Sequence, residues 1–197
     1  MLRVLRILLW ALVVTGLAGI GAYFYLGQQD GAVRPMVTIG GPFKLAATTG
    51  ETVDSAALKG RPFAVFFGFT HCPEVCPTTL YEMSSTLAKL GEEAKDFKVF
   101  FVTVDPERDT AEFMKSYLTS FDPRIIGLRP SAEELAQVAR AYRVFYEKVP
   151  TSDGGYTMNH TALVYLMDRE GRFFGTLDYE EKPEMRLVKL KRLLKDG

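Results

Sequence analysis

Two compact runs, Phe63–Phe69 (FAVFFGF) and Lys98–Val104 (KVFFVTV), constrain this chain more than any other feature. Each is aromatic and β-branched with almost no polar interruption, the pattern of a central strand covered on both faces. Between them, Thr79–Leu90 has helical spacing and places Leu80, Met83, Leu87 and Leu90 on one side. Strands alternating with helices call for a parallel core sheet, since a parallel pair needs a crossover that a helix supplies.

The flanking segments extend that frame. Phe43–Val53 reads as two short strands around Thr49-Gly50, and Ala162–Met167 with Arg172–Leu177 as a hairpin around Asp168-Arg169-Glu170-Gly171. Thr79 with Glu82, Asp109 with Glu112, and Ser131 with Glu134 each show capping-box spacing, predicting three helix starts. Glu184–Leu194 closes the chain as an amphipathic helix. The expected fold is α/β of thioredoxin type: a central sheet with an antiparallel addition, flanked by helices and preceded by an N-terminal hairpin extension. One domain is expected over 36–197, with no internal repeat and no low-complexity segment.

The N-terminus is different. Arg3 and Arg6 precede an uncharged run, Ile7 to Leu26, about as long as a bilayer-spanning helix requires. We therefore expect an anchor at 1–27 and a polar tether at 28–35. The alternative, a cleaved signal peptide, has a shorter apolar core and a small-x-small site, which Gly19–Ala22 offers only weakly. Basic residues on the short side place the N-terminus in the cytoplasm. The remainder then faces the periplasm or an equivalent extracytoplasmic space, as in a single-pass protein of the cell inner membrane. Across 197 residues, 24 basic and 24 acidic side chains cancel, and the basic ones are scattered, so nucleic acid is excluded as a partner. Past the anchor, the small negative balance gives no polybasic reason to lie on anionic lipid.

Chemistry concentrates at Thr70-His71-Cys72-Pro73-Glu74-Val75-Cys76-Pro77, where a buried strand ends and a helix begins. The chain has two cysteines and two histidines, so any thiol chemistry uses Cys72 and Cys76 together. A helical rise over four residues brings two Cα atoms to about 6 Å, within reach of a disulfide or a shared metal. A helix N-terminus favours thiolate over thiol. The competing reading is two inert cysteines used as small hydrophobes, but the proline after each holds the turn out of the core. His160, in Asn159-His160-Thr161, stands at the entrance of the strand Ala162–Met167, where this fold usually has a proline and where the strand start neighbours the cysteine turn. By itself such a histidine is a hydrogen-bonded structural residue; beside a cysteine pair it becomes a third donor. Two thiolates and an imidazole select copper(I) by softness while letting copper(II) be held, whereas structural zinc needs a fourth ligand. His71 is expected to be structural, Asp109 a helix cap, and Asp105 structural or a hydrogen-bond partner to a ligand at the site edge. Arg140, Tyr142 and Arg143 read as a solvated helix face.

Four motifs in order, GFTHCPEVCPTTL (Gly68–Leu80), VTVDPERDT (Val102–Thr110), ARAYRVFY (Ala139–Tyr146) and NHTALVYLMDREGRF (Asn159–Phe173), resemble the Sco/SenC family of membrane-anchored copper proteins that assist cytochrome c oxidase assembly. The resemblance implies a thioredoxin-like domain in which Cys72, Cys76 and His160 bind copper, as Cu(I) and Cu(II). It also implies delivery to the dinuclear copper centre of oxidase subunit II, or reduction of that subunit's cysteines before metallation. Another copper chaperone or a thiol–disulfide reductant would be further partners. Glu74 stands where the family often has aspartate, a small departure on the connector.

Two function classes follow. A metallochaperone hands over metal without turnover; a thiol–disulfide oxidoreductase uses Cys72 and Cys76 as its catalytic pair and exchanges electrons with a partner's cysteines. His160 discriminates them, because disulfide exchange does not require a third soft-site ligand. A peroxidase would need an activating arginine that the sequence does not single out.

Overall fold

The computed structural model describes residues 2–29 and 38–197, which fall in separate units. In the first, Leu2–Gln29 is a single helix, α1, and its Arg3–Ala22 stretch is long and apolar enough to cross a membrane. A helix suits such a segment because it pairs its backbone polar groups internally. It continues through Gln28 and Gln29, two residues into the expected tether; the rest of that tether and Met36 lie outside the described residues.

From residue 38 the chain runs β1 (Lys44–Ala46), β2 (Thr52–Asp54), β3 (Phe63–Gly68), α2 (Val75–Leu90), β4 (Lys98–Thr103), α3 (Ala111–Leu118), β5 (Ile125–Leu128), α4 (Ala132–Tyr142), β6 (Tyr146–Pro150), β7 (Tyr156–His160), β8 (Val164–Met167), β9 (Phe173–Leu177) and α5 (Pro183–Asp196). The main sheet has the order β5-β4-β3-β8-β9, with β3, β4 and β5 parallel and β8 and β9 antiparallel, as the thioredoxin-like expectation requires. Every residue of β3 is buried. Phe43, Phe63 and Phe100 pack edge-to-face with centroids 5.8–6.3 Å apart, and burial of each ring contributes about 1.5–3 kcal/mol. The β1–β2 pair is the expected N-terminal hairpin.

Register explains where the chemistry falls. In the β3–β4 pair Gly68 sits opposite Thr103, so the loop after β3 and the loop after β4 leave the sheet side by side. In the β3–β8 pair Phe66 sits opposite Val164, which brings the residues preceding β8 to that same end. The cysteine turn, the 104–110 loop and His160 therefore converge on one edge of the sheet, though 84 positions separate Cys76 from His160.

Several local expectations change. Ser131 and Glu134 form a full capping box at α4. Thr79 opens no helix, because α2 begins at Val75 and the Thr79 hydroxyl donates to the Val75 carbonyl at 2.8 Å. The cap of α3 is Thr110, whose hydroxyl accepts from the Phe113 amide at 3.1 Å, and Asp109 is not a cap at all. Tyr142 is fully buried against Phe67 and Tyr165, so the solvated face is kept by Arg140 and Arg143 alone. Three strands escaped the reading. β5 is a four-residue edge strand, and β6 and β7 pair only with each other in a separate two-stranded sheet.

Candidate metal centre

Cys72 lies in the turn before α2 and Cys76 in its first turn, so the four-residue spacing is spanned by a turn rather than by one helix face. Both are free thiols. Cys76 is fully buried, so the expectation that both cysteines stand clear of the core holds only for Cys72, which is partly exposed. The Cys76 amide donates to Cys72 Sγ at 3.3 Å, a helix N-terminal N–H aimed at sulfur. Pro77 fits at the third position of α2 because an N–H there has no intrahelical partner to lose.

The close packing of Cys76 depends on Gly68. A Cβ at that position would stand 2.9 Å from Cys76 Sγ and 2.7 Å from Phe101 Cε2. The missing side chain makes room for the sulfur at the end of β3.

His160 completes the group. Its Nε2 is 3.6 Å from Cys76 Sγ, and its Nδ1 is 3.1 Å from the Thr161 carbonyl. A carbonyl can only accept, so Nδ1 donates to it, which fixes the ring and leaves Nε2 as the ring atom turned to the sulfur pair, the orientation a metal ligand needs. The ring stands edge-on to Phe69, with centroids 5.7 Å apart. His160 ends β7 rather than opening the next strand, as the sequence had suggested. Among the described residues no three His, Cys, Asp or Glu side chains are already drawn into a metal cage. Instead Cys76 is the common neighbour of the other two donors.

The two thiols are electrostatically unequal. The hydrogen bond from the Cys76 thiol, then that from His160 and the backbone amides, outweigh desolvation and lower Cys72 to about 4. Cys76 is pushed well above the ordinary thiol range by its hydrogen bond to Cys72, by burial and by the Cys72 charge. A partly exposed thiolate thus sits beside a buried thiol.

Asp109 supports the turn. It is fully buried and accepts from the Thr70 hydroxyl, from the Thr70 amide at 3.1 Å and from Thr103 Oγ1 at 2.6 Å. The carboxylate therefore ties the start of the cysteine turn to the end of β4, across the register neighbours Gly68 and Thr103. His71 points away from the thiols as expected, bonded to Thr70 Oγ1 at 3.1 Å and stacked on Phe113. Asp105 touches no thiol or imidazole; its partners are Arg108 and Tyr156, whose hydroxyl donates to it at 3.0 Å. Glu74 accepts from the Tyr179 hydroxyl at 3.3 Å on the connector. Sequence reasoning missed Gly68, Thr70, Thr103, Arg108 and Tyr156. The first four lie inside the quoted motifs, which carried no role for them; Tyr156 lies outside every motif, and its one signal is the alternation Tyr156, Met158, His160 after an Asp153-Gly154 turn.

Comparison with known proteins identifies relatives of the whole domain. An SCO2-like protein of Rickettsia prowazekii is 33% identical over 192 residues, spanning 90% of this chain and 94% of that protein. The mitochondrial protein SCO1 homolog 1 of Arabidopsis thaliana is 39% identical over 149 residues, 75% of this chain; the match takes in only 45% of that longer relative. The structure of Bradyrhizobium japonicum ScoI with copper bound is 51% identical and superposes with a TM-score of 0.73, covering 79% of this chain and 99% of that one. Yeast Sco1 with copper bound gives the same TM-score, 0.73, at 30% identity, covering 81% of this chain and 90% of that one. Residues 31–195 match the SCO1/SenC family model, and with the cysteine turn and the histidine placed as above, the chain belongs to the SCO1/SenC family.

Proposed function

We propose that this protein is a membrane-anchored copper metallochaperone, with copper as its cargo and Cys72, Cys76 and His160 as the donors. The observation that carries the reading is His160 Nε2 held 3.6 Å from Cys76 Sγ while its Nδ1 is engaged by the Thr161 carbonyl. A soft sulfur pair with one borderline nitrogen suits copper in both oxidation states. The copper-bound Sco structures of Bradyrhizobium and yeast support it. The recipient is cytochrome c oxidase subunit II, whose dinuclear copper centre is the destination. Another copper chaperone or a thiol–disulfide reductant serves upstream. The anchor is residues 1–27, which take in most of α1, followed by the 28–35 tether. It holds a single-pass protein in the cell inner membrane with the 36–197 domain on the periplasmic or equivalent side.

The test is copper stoichiometry and absorption of the full-length protein in detergent. Cys72→Ser and Cys76→Ser lose both oxidation states, because each removes half of the sulfur donor set. His160→Ala loses copper(II) and retains part of its copper(I). Equal loading of fully disulfide-bonded protein would place the site elsewhere.

One observation favours the second reading, a thiol–disulfide oxidoreductase. A partly exposed Cys72 lowered to about 4, beside a buried thiol, has the asymmetry of an attacking and a resolving cysteine. Under that reading His160→Ala behaves as wild type, and thiol reductant rather than copper restores oxidase assembly in cells lacking the cysteines.

A further inference from the structure

His160 is carried by the β6–β7 hairpin, which shares no ladder with the main sheet. Something other than sheet hydrogen bonds must hold that hairpin over the cysteine turn. Tyr156, Met158 and His160 alternate onto one face of β7, and Tyr156 is gripped from the 105–108 loop. Arg108 Nη1 donates to the Tyr156 carbonyl at 2.8 Å, and the Tyr156 hydroxyl donates to Asp105 Oδ1 at 3.0 Å. Arg108 Nε donates to the other oxygen of Asp105, closing a ring of three residues. The guanidinium lies 3.7 Å from the Tyr156 ring centroid and 5.9 Å from that of Phe69. Phe69 is the ring that stands edge-on to His160. A continuous packed path thus leads from Asp105, which is 2% exposed, to the imidazole.

Met158, midway along β7, is buried in the hydrophobic core and also seats the hairpin, whereas the loop's other polar contact with the hairpin is thinner. Lys148 bonds Glu107 at 2.7 Å, and both are exposed, so that pair holds little. Arg108 also keeps a buried nitrogen, Nη2, without a hydrogen-bond partner among the described residues.

We infer that Asp105, Arg108 and Tyr156 form a latch whose task is to hold His160 at the cysteine pair. Closed, it presents two sulfurs and a nitrogen; open, it leaves the two sulfurs alone. Copper(II), which needs the nitrogen, is retained only with the latch closed, while copper(I) stays on the sulfurs in either state. The three are positioning residues, and the inference rests on the proposed donor role of Cys72, Cys76 and His160.

The test uses full-length protein in detergent with Arg108→Ala, Arg108→Lys and Tyr156→Phe. In metal-free protein, Arg108→Ala should speed amide hydrogen exchange at Tyr156–His160 by roughly tenfold while exchange in β3 is unchanged. With metal, copper(II) affinity should fall roughly 10- to 100-fold and its sulfur-to-copper absorption should weaken, as for loss of a group that orients a ligand. Copper(I) affinity should change by less than about threefold. Arg108→Lys should recover part of the copper(II) loss, and Tyr156→Phe, which keeps the ring and drops one bond, should show a smaller form of the same pattern. If copper(I) and copper(II) weaken together, or exchange at 156–160 stays at the wild-type rate in folded Arg108→Ala, the latch is overturned. Should Arg108→Ala fail to fold, Tyr156→Phe decides by the same readouts. Wild-type protein that binds neither copper state would overturn the chaperone reading, and the metal-free exchange arm would still judge the latch.

Discussion

The cysteine turn and the β6–β7 hairpin bring the proposed donors to one site and are built in opposite ways. The turn grows out of β3, whose residues are all buried, and is tied down by the buried Asp109 carboxylate. The hairpin has mostly exposed or half-buried residues and its own two-stranded sheet, and it meets the loop beside it through side chains. The Cys76 sulfur is thus part of the core, the Cys72 sulfur lies at its edge on the same turn, and the nitrogen is an attachment. A site built this way can change its nitrogen without disturbing its sulfur pair, a division that would suit the proposed holding and release of copper.

The largest effect that sharpens this contrast is chemical, and lies within the turn itself. The thiolate is the nucleophile, and Cys72 is lowered to about 4 while Cys76 is raised. Iodoacetamide should label Cys72 faster than Cys76 by several orders of magnitude at pH 7. The sign follows from the lowered value: Cys72 stays ionised as pH falls from 8 to about 5, so its rate should hold nearly level and decline only as pH approaches 4. Mass spectrometry of quenched samples checks both statements; a rate rising tenfold per pH unit from 6 to 8 would contradict them.

Removing the support of the turn comes next. Asp109→Ala leaves the Thr70 amide and two buried hydroxyls without their acceptor and should destabilise the domain by about 3–5 kcal/mol, read from denaturant unfolding. Asp109→Asn, which keeps one acceptor oxygen, should lose less. Equal stability of Asp109→Ala and wild type would show that the turn is not held by this carboxylate.

Gly68→Ala probes the packing around Cys76. Its Cβ would press on Phe101 and the Cys76 sulfur, costing about 1–3 kcal/mol of stability by the same measurement. Copper should weaken with it, because the displaced atom is a donor. The smallest expected change lies on the hairpin: His160→Ala should alter stability by only about 0.5 kcal/mol, since its ring is half-exposed and its loss opens no core cavity. A loss above about 2 kcal/mol would break the contrast and make the histidine a structural keystone.

Much of this was legible in the residues themselves. The runs FAVFFGF and KVFFVTV announced β3 and β4, the Asp168–Gly171 turn announced β8 and β9, and Ser131 with Glu134 announced α4. Each of those signals is local, written in periodicity or turn chemistry within a dozen residues. The pairing of two cysteines four apart with the distant His160 was also proposed, from donor chemistry together with the place of that strand start in a thioredoxin-like sheet.

Asp109 shows where such reading stops. With Glu112 it carries the same spacing as a true capping box, and only the parallel register of β3 and β4, which sets Gly68 beside Thr103, turns its carboxylate inward to Thr70. The neighbouring Thr110 takes the cap instead. β6 and β7 are short, polar and half-exposed, so their strand character comes from pairing with each other rather than from a buried pattern. The sequence alone determined the sheet's central strands, the apolar N-terminal helix and which cysteines and histidine would meet. The tertiary structure decided which sulfur is buried, that Gly68 must be bare, and that Arg108 and Tyr156 stand behind the histidine. Those outcomes depend on contacts between residues tens of positions apart, whose free energy exists only once the chain has closed on itself.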